Sequence, residues 1–198
     1  MKSWYCFLHM VEINDSPKVL FEAMKSDPRF KGFHYVWAFA NPTAFDVPEA
    51  EKVKIDSLLY FKTALSAKIW ITNVNIERGL HFKKKSQIYL NTWHGTGPKA
   101  SGNAVKGRND YDFSYVDIIC VDGQHTRNQM INDYNAREEN LLFSGRPRED
   151  ELYTFNEETT KKIRNSLSIS EEKKILLYMP TWREHGTIKR LMGKEPLQ

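Results

Sequence analysis

With 198 residues, 40% of them apolar and 13% aromatic, the chain is long enough to bury a core and too rich in large apolar side chains to be globally disordered. A formal charge of +4 permits an anionic ligand or surface without demanding one, and no stretch reads as a transmembrane helix or a cleavable leader. Cys6 and Cys120 form no disulfide framework or metal-ligand cluster, so a reducing compartment is expected, with Cys120 a buried thiol inside an apolar run.

The first fifteen residues hold a short apolar stretch and no clear element. Ser16-Pro17 then offers a capping hydroxyl followed by proline at a first helical position. Val19, Leu20, Ala23 and Met24 follow at helical spacing until Asp27-Pro28 ends the helix. Phe33 to Ala40 predicts an aromatic strand closed by Asn41-Pro42, whereas the charged stretch Pro48 to Ile55 favours neither helix nor strand. Ser57 caps a second predicted helix reaching Ala67, with Leu58, Phe61 and Leu65 on one face, and Lys68 to Thr72 predicts a strand. The loop after it carries Glu77, Arg78, Gly79 and the run Lys83-Lys84-Lys85, whose simplest role is a solvated face.

The stretch Gln87 to Gly102 is the most informative. Ile88, Leu90 and Thr92 alternate with Tyr89, Asn91 and Trp93, as in a strand, and the chain then breaks into a loop with Gly95, Gly97, Pro98 and Gly102. His94 stands at the break, with Thr96 and Lys99 beyond it. Open α/β sheets bind ligands outside the carboxyl ends of their strands. An imidazole, a hydroxyl, a lysine and bare glycine backbone there suit phosphate handling, and a glycine-rich turn with a packed or capping histidine fits the same residues. Residues 103–114 are polar and loop-like. Tyr115 to Val121 predicts a strand, His125 to Asn135 a helix and Asn140 to Phe143 a short strand. The latter runs into Ser144-Gly145-Arg146-Pro147-Arg148, either an exposed turn or a pair of guanidiniums able to fork onto phosphates. Glu157 to Leu167 predicts an amphipathic helix polar enough to join two domains. Lys173-Lys174 lead into a predicted strand ending at Pro180-Thr181-Trp182-Arg183. Strands alternating with helices predict a mainly parallel α/β sheet, with a domain over 1–151, a linker helix within 152–172 and a second domain beginning at 173.

Three segments then stand together: Thr92-Trp93-His94-Gly95-Thr96 with Lys99 and Gly102, Gly145-Arg146-Pro147-Arg148-Glu149-Asp150, and Tyr178-Met179-Pro180-Thr181-Trp182-Arg183-Glu184. In that order the chain resembles the CDP-glycerol glycerophosphotransferase family of teichoic acid primases and polymerases, over roughly residues 16–184. The resemblance implies the N-terminal half of a GT-B fold, in which two Rossmann-like domains face across a cleft. This chain would hold the acceptor-side domain, 1–151, and in 173–198 only the start of the donor-side one. The resemblance implies transfer of glycerol phosphate from CDP-glycerol to a lipid-linked glycerol phosphate or polyol phosphate acceptor, with release of CMP. It also implies a cytoplasmic protein, peripheral at the inner face of the cell membrane and in contact with its anionic surface. His94 would be the general base. Gly95, Thr96, Lys99 and Arg148 would hold phosphate oxygens, and Arg183 would reach the diphosphate from across the cleft. No metal, cofactor or nucleic acid is expected, the donor being a substrate. Gly97-Pro98 departs from the family's Pro-Leu, which changes the loop's backbone freedom while His94, Lys99 and Gly102 keep register. A chain this short could instead be a non-catalytic binding module or remnant. A nucleotide or nucleic-acid binder is disfavoured by its scattered basic residues.

Overall fold

Seven strands form one parallel sheet: β1 Trp4–His9, β2 Phe33–Phe39, β3 Ala50–Lys54, β4 Ile69–Thr72, β5 Ile88–Asn91, β6 Ile118–Val121 and β7 Leu141–Phe143. The computed structural model describes the backbone of residues 4–9 and all of residues 14–77, 80–97 and 99–178. The order across the sheet is β3-β2-β1-β4-β5-β6-β7, and each neighbouring pair runs parallel. This is the doubly wound arrangement, with its switch point between β1 and β4. Two units divide the chain, Met1–Thr154 and Phe155–Gln198.

Strands of such a sheet are buried on both faces, so their sequences are continuously apolar and period-2 alternation sorts them between two cores. In β2, Val36 and Ala38 face one core with Trp70, Tyr89 and Ile119, while Trp37 and Phe39 face the other with Ile71. Helix α1 (Asp15–Ser26) covers the second face, with Phe21 edge-on to Tyr35 and Trp37 at 5.1 and 5.5 Å. Helices α2 (Leu58–Ser66) and α3 (Gln124–Tyr134) cover the first face through Tyr60 and Ala64, and through Met130 and Tyr134. Cys120 is a buried thiol on β6, and burial pushes its pKa up.

Several local expectations are corrected. The N-terminal apolar stretch is β1, at the centre of the sheet, and the unassigned charged stretch contains β3, an edge strand in which only Val53 is buried. Helix α1 starts at Asp15, and its cap residue Asn14 makes no side-chain capping bond. The Ser16 hydroxyl instead accepts the amide of Arg148. Ser57 does cap α2, accepting the Tyr60 amide at 3.1 Å, but the buried stripe is Tyr60 and Ala64, and Leu58 is 92% exposed. The small alanine lets the helix lie close on the sheet, and Leu58 belongs to the first turn on the far side. Strand β6 begins at Ile118 rather than Tyr115.

Among the described residues no α-helix joins β5 to β6. Residues 96–97 and 99–113 run as a strap along α3, from its first turn to its last. The Thr96 and Thr126 hydroxyls lie 3.0 Å apart, Gln129 Nε2 donates to Ser101 Oγ, and Phe113 N donates to Tyr134 O. A 3-10 turn at Gly102–Ala104 interrupts the strap. In the second unit, α4 (Glu157–Ser166) is capped by Asn156, whose Oδ1 accepts the Thr159 amide. Residues 175–178, expected to start a strand, form none and are exposed, having no strand to pair with among the described residues of that unit. Among the described residues no helix is long and apolar enough to cross a membrane.

Candidate functional site

The carboxyl end of β5 is built to turn the chain sharply. Thr92 extends the ladder by one bond to Thr72 O, and Asn91 Oδ1 then accepts the Trp93 amide at 2.8 Å, closing a side-chain turn. Trp93 adopts φ +51, an unfavourable conformation for a bulky side chain, costing roughly 1–3 kcal/mol. Packing holds it there: the indole is buried, with ring centroids at 4.8 Å to Tyr134 and 5.4 Å to Phe113. The turn projects the next residue, His94, out of the core. Its ring stands edge-on to Trp93 and is exposed, and neither ring nitrogen has a hydrogen-bond partner among the described residues.

Desolvation by the protein packed around one side of the ring lowers the His94 pKa from its ordinary 6.5. The Asp15 carboxylate raises it and the Arg148 guanidinium lowers it further. The balance favours the neutral imidazole at neutral pH. Gly95 follows at φ +120, where a Cβ would lie 3.4 Å from Arg146 Nη1 and 3.6 Å from Arg148 Nη2. Two guanidiniums therefore face the glycine backbone next to the histidine.

Both arginines come from the turn after β7 and are held by carboxylates from other strand ends. Arg148 Nη1 donates to Asp15 Oδ2 at 2.7 Å, its Nη2 to the His94 carbonyl at 3.1 Å, and its backbone amide to buried Ser16 Oγ at 3.3 Å. Asp15 stands at the start of α1, where burial raises its carboxyl pKa. The Ser16 amide, Arg148 and the Asn73 side chain outweigh that and leave the pKa below the ordinary carboxylate value. Asn73 follows β4, so Asp15 and Asn73 meet at the switch point between β1 and β4. Arg146 pairs with Asp122 Oδ2 at 2.8 Å, and its Nε lies 3.0 Å from Glu149 Oε1. Asp122 also accepts from the Thr126 hydroxyl, which meets Thr96. The ends of β1, β4, β5, β6 and β7 thus contribute to one cluster.

Of the residues singled out in the sequence, His94, Gly95 and Arg148 come together here, and Thr96 joins at the edge through Thr126. Lys99 is exposed and lines a separate groove on α3, with no contact to His94, Arg146 or Arg148 among the described residues. Arg183 lies outside the described residues. Asp15, Asn73 and Asp122 carried no sequence signal beyond their places just after strands or at a helix start. Arg146 was read with Arg148 as a pair of guanidiniums, and both lie against Gly95.

A doubly wound parallel sheet whose carboxyl edge carries an exposed neutral histidine, a glycine and two guanidiniums defines a Rossmann-like α/β unit with a mouth suited to anions. The chain belongs to the CDP-Glycerol:Poly(glycerophosphate) glycerophosphotransferase family, whose profile matches residues 2–197. It is 32% identical over 193 residues to a teichoic acid poly(glycerol phosphate) polymerase of Staphylococcus epidermidis, covering 89% of this chain and 26% of that protein. It is 26% identical over 203 residues to a teichoic acid glycerol-phosphate transferase of Staphylococcus aureus, covering 91% and 50%. The solved wall teichoic acid polymerase TagF is similar with a TM-score of 0.77 at 28% identity, over 92% of this chain and 48% of that one. Its structures include single-histidine variants, one of them soaked with CDPG. This chain therefore spans about a quarter to a half of the length of these relatives.

Proposed function

We propose that this chain supplies the acceptor-side half of a glycerophosphotransferase of GT-B type, working at the inner, anionic face of the cell membrane without crossing it. The donor is CDP-glycerol and the acceptor a lipid-linked glycerol phosphate or polyol phosphate. An acceptor hydroxyl attacks the glycerol-bearing phosphorus of the donor, a new P–O bond forms, the P–O bond to the bridging oxygen breaks, and CMP leaves. His94 takes the hydroxyl proton, a role for which a neutral, exposed imidazole is suited. Arg146 and Arg148, beside the Gly95 backbone, meet the charge that redistributes over the phosphoryl oxygens. Thr96 borders the same loop, Lys99 serves the acceptor side, and Arg183 is assigned to the diphosphate. All roles fall to side chains and backbone of the enzyme.

The placement of His94 carries this proposal: an unpartnered imidazole at a strand end, with two guanidiniums over the next residue. The test is a chimera in which residues 1–154 replace the aligned segment of the S. epidermidis polymerase, assayed for CMP release from CDP-glycerol with a lipid-linked primer. An active chimera is expected. His94→Ala should lower its turnover by about two to four orders of magnitude with little change in its melting temperature. Near-normal turnover in that variant would remove the base assignment. A loss confined to acceptor KM would make His94 a binding residue instead.

A further inference from the structure

The face of α3 that looks away from the sheet carries His125, Asn128, Gln129, Asn132 and Asp133, spaced so that all fall on one stripe of the helix. The strap opposes that stripe with Gly97, Lys99 and Ala100 but does not close over it, and a groove of about 300 Å³ remains between them. Its lining mixes the polar side chains of Lys99, His125, Asn128, Gln129, Asn132 and Asp133 with the bare backbone of Gly97 and the methyl of Ala100. At the floor lies Gln129, only 8% exposed. Its Nε2 is used by Ser101 and its Oε1 has no hydrogen-bond partner. Asn128 Oδ1 already accepts from Gln124 and Arg127, which leaves its NH2 group free to donate. Lys99, His125 and Asn132 are exposed and make no described bond of their own.

The groove also has a direction. His125 marks the end at the first turn of α3, where Thr126 touches Thr96 of the His94 loop, and Lys99 follows in the strap before Ser101 meets Gln129. Asp133 marks the other end. A phosphate is favoured at the first end and repelled at the second, where a carboxylate and amides suit hydroxyl groups instead. We infer that this groove holds the acceptor chain one unit behind the reacting hydroxyl: a polyol phosphodiester, its phosphate on Lys99 and His125 and its polyol on Asn132, Gln129 and Asp133. The inference rests on the function proposed above and names where the body of that acceptor lies.

The test uses the 15N-labelled chain with three probes: synthetic tri(glycerol phosphate), inorganic tripolyphosphate and CDP-glycerol. Tri(glycerol phosphate) should shift the side-chain amide signals of Asn128, Gln129 and Asn132. The paired substitution Lys99→Ala and His125→Ala, both on the surface, should weaken its binding by roughly tenfold or more, and CDP-glycerol should leave the groove's side-chain amide signals unshifted. Asn132→Leu should weaken tri(glycerol phosphate) but not tripolyphosphate. If tripolyphosphate binds as well as the polyol chain and Asn132→Leu has no effect, the groove is a charge site only and the polyol assignment is overturned. If tri(glycerol phosphate) shifts only Gly95, Arg146 and Arg148, the groove is overturned while the proposed function stands. If it shifts neither set, both fall.

Discussion

The surroundings of His94 act on its proton. Burial on one side and a nearby guanidinium hold its pKa below the ordinary 6.5, against the pull of Asp15. In a proton NMR titration its ring signal should therefore reach half-protonation below pH 6.5. Arg148→Ala should move that midpoint up, since it removes a repelling cation and leaves the Asp15 carboxylate unpaired beside the ring. A midpoint that stays put would show that Arg148 does not act on the ring. The linkage has a definite sign. The folded chain binds this proton less readily than the unfolded chain. His94 therefore subtracts stability as the pH falls from its ordinary value through its lowered one, and contributes nothing above it. His94, Gly95 and Arg148 were legible in the sequence because loops with histidine, glycine and arginine at strand ends are recognisable locally. Asp15 was not, because what makes it part of the site is a bond to a residue 133 positions away.

The elements that were hardest to read are those whose environment is decided by position in the sheet. Strand β3 lies at an edge and keeps charged side chains outward, so it lacks the apolar run by which β2 announces itself. Helix α2 was expected to bury Leu58, Phe61 and Leu65, but Tyr60 and Ala64 are its buried residues and Phe61 packs only partly against them. The strap between β5 and β6 was legible as a loop from its glycines and the polar stretch 103–114, whereas its support by α3 has no repeat in the sequence to announce it. Gly102 packs tightly against the end of α3. It has φ +52, and a Cβ there would lie 2.3 Å from the Asp133 carbonyl oxygen. Gly102→Ala should cost about 1–3 kcal/mol in a urea melt, because the obstacle is backbone and cannot rotate away. Trp93→Ala should cost more, about 3–5 kcal/mol. The relief of its positive φ is small beside the loss of contacts with Phe113 and Tyr134. A loss below 1 kcal/mol in that variant would mean that the aromatic cluster does not hold the turn.

At the scale of the whole molecule, the parallel α/β class was legible from the alternation of strands and helices, whereas the central position of the first strand was not. Trp4–His9 pairs with both β2 and β4, so it joins the two halves of the sheet. Deleting residues 1–9 should abolish cooperative unfolding of the Met1–Thr154 unit in a thermal melt, whereas an unclipped edge strand could be lost at less cost.

Every described ladder of the sheet is parallel, so its described strands form no hairpin. Each of its ladders joins strands separated by a connection that must first be ordered, and β1 meets β4 only after β2, β3 and α2 have been made. Folding of this sheet thus has no hairpin from which pairing can zip outward, and β1 waits for its second partner, β4, which follows β2, β3 and α2 in the sequence. Refolding after dilution from urea should accordingly be slow for a unit of this size, on the order of milliseconds to seconds, as for other topologies dominated by distant contacts. Until β4 is in place, Trp4–His9 can be covered on its β2 flank alone, and crowding by other unfinished chains is the hazard for the flank left open.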